Sequence, residues 1–373
     1  MKCTFSVDQK ELLGLLSAMQ PICNKRTTLD VTESILFHVA SKELTLKATD
    51  LEISLQSNMN VEGDLTDAVS FLISGKRIFE LVKEMDGSIE FTLDDNQLQL
   101  KSSGVDLSLN IKNAEEFPPF PERIENLMDL EAPPLLAMLN KVAFLIPQNN
   151  ANTALNGMLL EIGPEQLSMV ATDGHCLAKI CTKKYTLPDE RKWLLPKRAV
   201  MEVKKLLEST TTTNLFLGTC GSQLVFSGKN FNFFTKLISE SFPHYKPVLD
   251  KTGFTPARMA KDSLLRTLKR TNCLLAGKFV STTFKFTPGT VNVNVHNKEV
   301  GKLDEAIELL GYDAELVESR FYSPYLLNGL SVFPEEKISF HIKNAIKPII
   351  FESNSADYEF TYLVMPVSMA QAE

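Results

Sequence analysis

Residues 171–178 read Ala-Thr-Asp-Gly-His-Cys-Leu-Ala, which places an acid, a histidine and a thiol within four positions. A carboxylate beside His175 is typical of a metal site, and a thiol beside a histidine is typical of an activated nucleophile. The sequence lacks the further ligands or catalytic residues that either kind of site would need. No second His or Cys stands at ligand spacing, and in a strand Cys176 and Cys181 would lie on opposite faces because their separation is odd. We therefore expect neither a catalytic residue nor a metal ligand in this stretch.

Common catalytic and cofactor motifs are missing from the rest of the sequence. There is no G-x-x-x-x-G-K-[ST] phosphate loop, no G-x-G-x-x-G, no G-x-S-x-G and no H-E-x-x-H. These gaps weaken every enzyme hypothesis and predict a protein without a cofactor. They leave open a hydrolase that uses scattered carboxylates, such as Asp50 and Asp173, with a metal ion.

The opening stretch belongs to a long internal repeat. Residues 44–53 match residues 167–176 at an offset of 123, and both copies run through alternating residues into Ala-Thr-Asp. A catalytic acid should recur together with its histidine or thiol, yet the first copy continues Leu-Glu-Ile. Asp50 and Asp173 are therefore predicted to close turns through hydrogen bonds from the backbone to their side chains.

Two further landmarks recur in the same order along the chain. Residues 74–77 correspond to 195–198 at an offset of 121, and residues 116–120 correspond to 241–245 at an offset of 125. The first of these pairs opens an apparent helix, and the second marks the end of a repeat.

The last third of the chain is more diverged but keeps the order of elements. A helix beginning at Asp262 precedes alternating strands, a turn at His296-Asn297 and a second helix near Pro324. Three similar units account for the length of 373 residues. The predicted domains are residues 1–125, 126–251 and 252–373.

Within each unit the pattern favours sheets built from hairpins. In the first unit, residues 3–7 alternate as a strand, and Asp8 followed by Glu11 predicts an N-cap and capping box for a leucine-rich helix. Residues 89–93, 97–101 and 105–111 alternate between short turns, which is typical of antiparallel hairpins. Because consecutive hairpins leave no room for helical crossovers, the predicted fold class is α+β with antiparallel sheets.

Composition and cysteine usage bear on the compartment. No apolar run approaches the roughly 20 residues of a membrane helix, and the start of the chain does not resemble a signal peptide. Six cysteines without a C-x-x-C pair are expected of free thiols in a reducing compartment. The expected location is the cytoplasm, with no membrane association.

Charge is unevenly distributed among the elements. The net charge is −7, yet the predicted helices at 197–208 and 261–270 are rich in lysine and arginine. Acidic residues crowd a later segment without any basic residue between them: Asp304, Glu305, Glu308, Asp313, Glu315 and Glu318. If three similar units turn their helices to the same side, the helices form a positive lining that attracts phosphates without reading bases.

Several of these motifs together resemble a known family, the bacterial sliding clamps, which are the beta subunits of the replicative DNA polymerase. The resemblance covers essentially the whole chain. It rests on the stretches at 48–52, 155–158, 171–175, 242–245 and 362–366. It implies three similar clamp domains with antiparallel sheets outside and paired helices inside. Two chains would close head to tail into a ring around duplex DNA, and the ring would act as a processivity factor with no catalytic activity of its own.

The resemblance also implies a hydrophobic cleft that takes short peptide motifs from the polymerase catalytic subunit, the clamp loader, other polymerases and repair proteins. Matched by motif, the cleft residues are Leu155, Thr172, Gly174, His175, Leu177, Pro243, Val248, Leu363, Val364, Met365, Pro366 and Val367. Adaptable apolar side chains beside a glycine suit such a site. In this setting His175 is a wall residue.

The DNA-facing residues implied by the resemblance are Lys25, Arg26, Lys76, Arg77, Asn149, Lys197 and Arg198. Its implied dimer interface pairs the strand at 105–110 with the third domain's first helix and the neighbouring edge. The interface residues are Leu107, Leu109, Cys273 and Leu274.

The sequence departs from the family pattern at four positions. Cys176 and Ser368 stand where basic residues are common, which predicts a less positive cleft rim and puts the preference for acidic partner motifs in doubt. Thr153 and Ala154 stand where tyrosines that contact DNA can occur. Besides the clamp and the metal-dependent hydrolase, a monomeric adaptor that binds peptides without DNA also fits the cleft, although it leaves the basic helices without a role.

Overall fold

The computed structural model describes residues 3–63, 67–94, 96–209, 213–275 and 281–367. The α-helices of these segments are α1 (Gln9–Cys23), α2 (Gly75–Lys83), α3 (Ala132–Val142), α4 (Lys197–Ser209), α5 (Lys261–Cys273) and α6 (Ser323–Leu330). None of the helices in these segments is both long enough and apolar enough to cross a membrane.

Strands make up most of the remaining regular structure. In the first third they are β1 (Cys3–Asp8), β2 (Ser34–Ala40), β3 (Glu43–Thr49), β4 (Ile53–Asn60), β5 (Val69–Ser74), β6 (Ser88–Asp94), β7 (Gln97–Ser102), β8 (Val105–Asn110) and β9 (Lys112–Asn113). In the middle they are β10 (Glu125–Glu131), β11 (Gly157–Ile162), β12 (Leu167–Thr172), β13 (Cys176–Thr182), β14 (Arg191–Pro196), β15 (Asn214–Cys220), β16 (Gln223–Ser227) and β17 (Phe231–Thr235). In the last third they are β18 (Thr255–Ala260), β19 (Thr282–Thr287), β20 (Thr290–Asn297), β21 (Gly301–Glu308), β22 (Val317–Phe321), β23 (Lys337–Ile342), β24 (Ile349–Asn354) and β25 (Glu359–Val364).

These strands form antiparallel sheets, which confirms the predicted α+β class. Two four-stranded sheets have the orders β1-β6-β7-β8 and β21-β20-β19-β22. A nine-stranded sheet has the order β10-β15-β16-β17-β4-β3-β2-β5-β9, and an eight-stranded sheet has the order β14-β11-β12-β13-β25-β24-β23-β18. Both large sheets join strands from two different repeats.

The first repeat folds as its sequence pattern predicts. Asp8 caps α1, and its side chain accepts a hydrogen bond from the backbone nitrogen of Glu11 at 3.0 Å. Leu12, Leu16 and Met19 are fully buried, at the spacing expected for one face of a helix. The hairpins β6–β7 and β7–β8 are present as expected. Asp95, in the turn before β7, lies outside the described residues.

The turn predicted at His296-Asn297 lies directly after these two residues, at 298–300. β20 continues through Asn297, and His296 still pairs with Lys302 across the hairpin. The side-chain oxygen of Asn297 accepts hydrogen bonds from the backbone nitrogens of Glu299 and Val300, at 2.9 and 3.2 Å. The alternating pattern extends the strand to the residue whose side chain closes the loop.

The chain packs as two compact units, whose boundaries differ from those of the three sequence repeats. One unit comprises residues 1–136 and 198–237, and the other comprises residues 137–197 and 238–373. The central repeat is divided, since β10 and β15–β17 belong to the first unit and β11–β14 to the second. The pairs β17–β4 and β13–β25 tie each half of the central repeat into a sheet shared with a neighbour.

Candidate functional site

The Ala-Thr-Asp-Gly-His-Cys stretch folds as a tight turn between β12 and β13. One carboxylate oxygen of Asp173 accepts hydrogen bonds from the backbone nitrogens of His175, at 2.8 Å, and Cys176, at 2.7 Å. Gly174 has φ +92°, a region that favours glycine, and its nitrogen donates to the Thr172 hydroxyl at 3.1 Å. The prediction that Asp173 closes a turn is confirmed.

The same turn recurs in the other two repeats. An oxygen of Asp50 accepts from the backbone nitrogens of Glu52 and Ile53, at 3.0 and 2.8 Å. Asn297 makes the equivalent pair of bonds in the third repeat. The sequence analysis predicted a turn here but did not recognise it as a third copy, because asparagine replaces aspartate and the flanking residues differ. The hydrogen bonds make the three positions equivalent.

An apolar cluster lies beside the Asp173 turn. Its buried members are Ala154, Leu159, Val170, Leu177, Leu194, Tyr245, Ile350 and Leu363. Partly buried side chains packed against it are Ile238, Phe242, Leu249, Phe254 and Met365. An open pocket of about 480 Å³ adjoins the cluster and is lined in part by Leu159, Leu194 and Ile238. The pocket meets the cluster at these apolar side chains and at Phe242 and Tyr245, while most of its other lining residues are polar or charged.

Of the twelve residues predicted for the cleft, Leu177, Leu363 and Met365 are members of this cluster. Leu155 is buried near the turn, with its Cδ1 atom 3.9 Å from where a Cβ on Gly174 would lie. Thr172 and Val364 are also buried, and Val364 pairs with Cys176 between β25 and β13. These positions converge because β13 and β25 are neighbouring strands.

Four other predicted cleft residues are less buried than these. Pro366 and Val367 are half-buried, and the backbone nitrogen of Val367 donates to the Arg320 carbonyl at 2.8 Å. Pro243 and Val248 are exposed. Their neighbours Phe242, Tyr245 and Leu249 contact the cluster instead, and the spacing of three and four residues between these apolar side chains is the signal that could have found them.

His175, predicted as a wall residue, is exposed and lies against Tyr325. Its ring stacks on Tyr325 with centroids 5.8 Å apart and an interplanar angle of 18°. Its carbonyl accepts from the backbone nitrogen of Met365 at 2.9 Å, which ties the turn to the end of β25. Tyr325 is held in turn because its carbonyl accepts from the Tyr362 hydroxyl at 2.8 Å.

The surroundings of Cys176 disfavour the thiolate form that a nucleophile beside this histidine would need. Its side chain is buried, and burial, followed by the charge of Asp173, raises the pKa of the thiol well above its usual value. The thiol therefore stays protonated, and only the thiolate is strongly nucleophilic. Because Cys176 points inward, it places no charge at the rim. Ser368, the other predicted departure at the rim, lies outside the described residues.

Two basic side chains, those of Arg198 and Lys25, lie against the corresponding turn in the first repeat. The second carboxylate oxygen of Asp50 forms an ion pair with Arg198, whose guanidinium also donates to the Pro21 carbonyl at 2.9 Å. The ammonium of Lys25 lies 3.7 Å from the same oxygen and contacts Glu52. Burial opposes ionisation of Asp50, but hydrogen bonds from Ile53, Arg198 and Glu52 outweigh it and lower the pKa of the carboxyl.

The other predicted DNA-facing residues lie at the starts of helices or in exposed loops. Lys76 and Arg77 stand in the first turn of α2, Lys197 begins α4, and Asn149 is exposed in a loop. Arg26 follows α1. Arg198 differs from these because its guanidinium is engaged by structural partners, which sequence reasoning did not anticipate.

Basic helices and acidic strands are less separated than the sequence indicated. Arg270 of α5 forms an ion pair with Glu305 of β21, one of the crowded acidic residues. On α4, Lys205 lies 3.1 Å from Glu202 and Lys204 lies 3.8 Å from Glu208. The segregation along the sequence therefore becomes partial neutralisation in the fold.

The predicted interface residues lie at sheet and helix ends. β8 is an edge strand, with Leu107 and Leu109 half-buried between exposed neighbours. Cys273 ends α5 and is exposed, and the Leu274 carbonyl accepts from the Asn297 amide at 2.9 Å. β21 is also an edge strand, so both predicted sides of an interface offer a strand edge.

Within the ranges that the structure describes, His, Cys, Asp and Glu side chains form no group of three or more that could hold a metal ion. What the structure places together at this site is an apolar cluster and a hydrogen-bonded turn.

The architecture is the three-domain clamp fold. The DNA polymerase III subunit beta of Pseudomonas aeruginosa superposes with a TM-score of 0.90 at 23% identity, covering 98% of this chain and 100% of that one. The beta subunit from the DNA polymerase of Streptococcus pyogenes superposes with a TM-score of 0.90 at 19% identity, covering 98% of this chain and 100% of that one. A sliding clamp of Bartonella birtlesii bound to griselimycin superposes with a TM-score of 0.88 at 22% identity, over 98% and 100%.

Sequence comparison identifies the family. Family models of the DNA polymerase III beta subunit match in order: the N-terminal domain at residues 3–121, the central domain at 129–244 and the C-terminal domain at 248–368. The beta sliding clamp of Pseudomonas putida is 25% identical over 371 residues, which is 98% of this chain and 100% of that protein. The beta sliding clamp of Chlamydia pneumoniae is 26% identical over 371 residues, or 98% and 99%. The chain belongs to the DNA polymerase III beta subunit family, the beta sliding clamps.

Proposed function

We propose that two copies of this chain close head to tail into a ring around duplex DNA, and that the ring tethers the replicative polymerase and its other partners as a processivity factor. Each copy contributes domains 1–125, 126–251 and 252–373. The protein works without a cofactor or catalytic activity of its own, in the cytoplasm.

One observation carries this proposal: the repeats are joined by the same strand pair each time, and one such pair is left incomplete. β4 follows the Asp50 turn and pairs with β17, so that Ile53 faces Thr235. β13 follows the Asp173 turn and pairs with β25, so that Cys176 faces Val364. The equivalent strands of the third junction are β21, after Asn297, and β8. Both end their sheets, so a second copy is needed to join them.

The repeat also fixes the register of this missing pair. Ile53 stands opposite Asp50, and Cys176 stands opposite Asp173. In the third repeat, Gly301 stands opposite Asn297 in the same way. On the partner strand, Leu109 of β8 corresponds to Thr235 of β17. Each of these residues pairs with the second residue of the strand that precedes it in its hairpin. Placing Leu109 opposite Gly301 puts Leu107 opposite Leu303 of the partner subunit. Two apolar side chains then share one face of the joined sheet, as a cross-strand pair requires.

The apolar cluster supports the tethering role. A partner peptide docks its apolar side chains over Leu177, Leu363 and Met365, against the wall formed by His175 and Tyr325. Cleft-bound partners and encircled DNA are then held on one ring, which keeps the polymerase at high effective concentration near the primer end. The griselimycin complex of the Bartonella relative supports a cleft in this fold that accepts a ligand.

The test is retention on DNA. The protein is loaded onto nicked circular DNA and isolated by gel filtration, and we expect it to stay on the circle and to be released when the circle is cut. A variant carrying Leu107→Asp and Leu109→Asp, which breaks the proposed ring contact, should not be retained. Release from circles and linear molecules at equal rates would exclude encirclement.

The cleft is tested separately with griselimycin as the probe. Met365→Ser removes an adaptable apolar contact, and we expect about tenfold weaker binding by calorimetry, with retention on circular DNA unchanged. A hydrolase would instead lose activity on Asp173→Ala and keep it on Leu363→Ala. A monomeric adaptor would bind the probe but elute at the mass of one chain.

A further inference from the structure

Lys25 and Glu52 form an accessible ion pair beside the β4–β17 strand pair, which joins the first repeat to the second. The ammonium of Lys25 contacts the Glu52 carboxylate and lies 3.7 Å from the buried Asp50 carboxylate. The Lys25 side chain is 37% exposed and that of Glu52 is 65% exposed. Asp50 is fully buried and engaged by Arg198, so Glu52 is the carboxylate that an approaching ligand would meet.

The backbone of Glu52 is fixed at two points. Its nitrogen donates to Asp50 at 3.0 Å, and its carbonyl accepts from the Lys236 nitrogen at 2.9 Å. Lys25 is fixed as well, since its nitrogen donates to the Ile22 carbonyl at 3.3 Å. Both side chains therefore start from rigid positions that favour their contact.

Similar pairs occur on two helices that carry proposed DNA-facing residues. On α2, Lys76 lies 3.9 Å from Glu80, and both side chains are exposed. On α4, Lys204 and Lys205 each lie within 4.0 Å of a glutamate one turn away. Several lysine side chains that would otherwise be available to phosphates are thus paired with a glutamate of the same chain.

An exposed ion pair is weak enough for a phosphate to displace one partner. A lysine that moves from a glutamate to a phosphate also leaves an unpaired carboxylate next to the negatively charged backbone. The exchange yields less affinity than the binding of a free lysine, and it should weaken the dependence of binding on salt, which scales with the number of phosphates neutralised.

We propose that Glu52 competes with DNA phosphates for Lys25, and so keeps the ring's hold on DNA weak enough for sliding. This inference rests on the proposed function, because it takes Lys25 to face the encircled duplex. Topological linkage keeps the ring on DNA, while the Glu52 carboxylate lowers the contact affinity that would slow its movement.

The experiment compares Glu52→Gln with the wild-type dimer. Binding to a short open-ended duplex is followed by fluorescence anisotropy from 20 to 200 mM KCl. We expect about two- to fivefold tighter binding at the lowest salt, the range expected when one exposed ion pair is removed. The slope of log K against log salt should steepen by up to about 0.9, the value for one additional phosphate contact.

Two controls separate local competition from a general change in net charge. Glu90→Gln removes the same charge from the exposed side of β6, and we expect it to leave affinity and slope unchanged. Lys25→Met should weaken binding, and adding Glu52→Gln to Lys25→Met should produce no further change. Thermal unfolding of each variant checks that its fold is intact.

Three results would overturn the inference. Glu52→Gln could bind no more tightly than Glu90→Gln, it could tighten binding equally in the Lys25→Met background, or Lys25→Met could leave affinity unchanged. Retention on circular DNA is measured separately for the wild type and for each variant. A wild-type protein that is not retained would count against the ring itself, which is a different outcome from the three above.

Discussion

At the scale of single residues, two copies of one turn serve different purposes. Asp50 and Asp173 accept the same pair of backbone hydrogen bonds, yet Asp50 is buried against Arg198 while Asp173 borders the apolar cluster. The turn was predictable because its bonds join neighbouring residues. The Arg198 pair was not, since its partners lie 148 positions apart and only the fold brings them together.

The Arg198–Asp50 pair should contribute strongly to stability. Replacing Arg198 with methionine leaves a buried carboxylate with only a lysine nearby, and we expect the free energy of unfolding to fall by about 3 kcal/mol. Asp50→Asn keeps an oxygen for the turn and removes the charge, so its loss should be smaller, about 1 kcal/mol. Urea denaturation at pH 7 measures both. Equal values for the two variants would show that the unpaired charge is not the cause.

The lowered pKa of Asp50 predicts a pH dependence with a definite sign. Because the pKa of this carboxyl is lower in the folded protein than the value of about 3.9 in the unfolded chain, its stabilisation is fully present above that value. The stabilisation is lost as the pH falls through the lower folded pKa. The wild type should therefore be more stable than Asp50→Asn at pH 7, with the gap narrowing below about pH 4. Urea midpoints at a series of pH values measure the gap, and a constant gap would contradict this origin.

At the scale of elements, α6 and β25 position the proposed wall of the cleft. A Cβ on Gly329 of α6 would lie 1.9 Å from the ring of Tyr362, so only glycine fits at this crossing. Tyr362 in turn holds Tyr325, the residue on which His175 stacks. The sequence predicted this helix and these strands from their periodicity. It gave no sign of the close approach, because contact across a packed interface leaves no local pattern.

Gly329→Ala tests this arrangement. We expect the added methyl group to force Tyr362 aside and to lower the free energy of unfolding by about 2 kcal/mol, in the range for overpacked cores. Griselimycin binding should weaken as well, because the His175–Tyr325 wall shifts. Gly14→Ala is the matched control, since its Cβ would meet no atom within 4 Å. Unfolding curves and calorimetry on both variants give the answer, and equal behaviour would argue against a steric role for Gly329.

At the scale of the whole molecule, the repeat predicts how the chain associates. The sequence supplied the threefold repeat and the α+β class. It did not reveal that β4 and β13 each pair with a strand of a neighbouring repeat, because strand partners distant in sequence are chosen by long-range packing. Once these pairs are known, equivalence indicates β8 and β21, each at the edge of its sheet, as the strands that would form the third pair.

Association is tested by charge on the β8 edge. Leu107→Asp with Leu109→Asp places two carboxylates on a face proposed to meet Leu303 of the partner subunit, near the acidic β21. We expect light scattering at micromolar concentration to give the mass of one chain, against two for the wild type. The same pair of aspartates at Thr4 and Ser6 on β1, the opposite edge of that sheet, should leave the dimer intact. A dimeric β8 variant would refute the proposed edge.

The shared sheets have a practical consequence for dividing this protein into fragments. Cutting at the ends of the repeats would separate β4 from β17 and β13 from β25, and would leave long strands with bare hydrogen-bonding edges in the pieces. Exposed edges of that kind recruit other strands, so such fragments should aggregate. Expression of an isolated repeat would therefore need a redesigned edge, such as a lysine or proline on the bared strand, before its own stability could be measured.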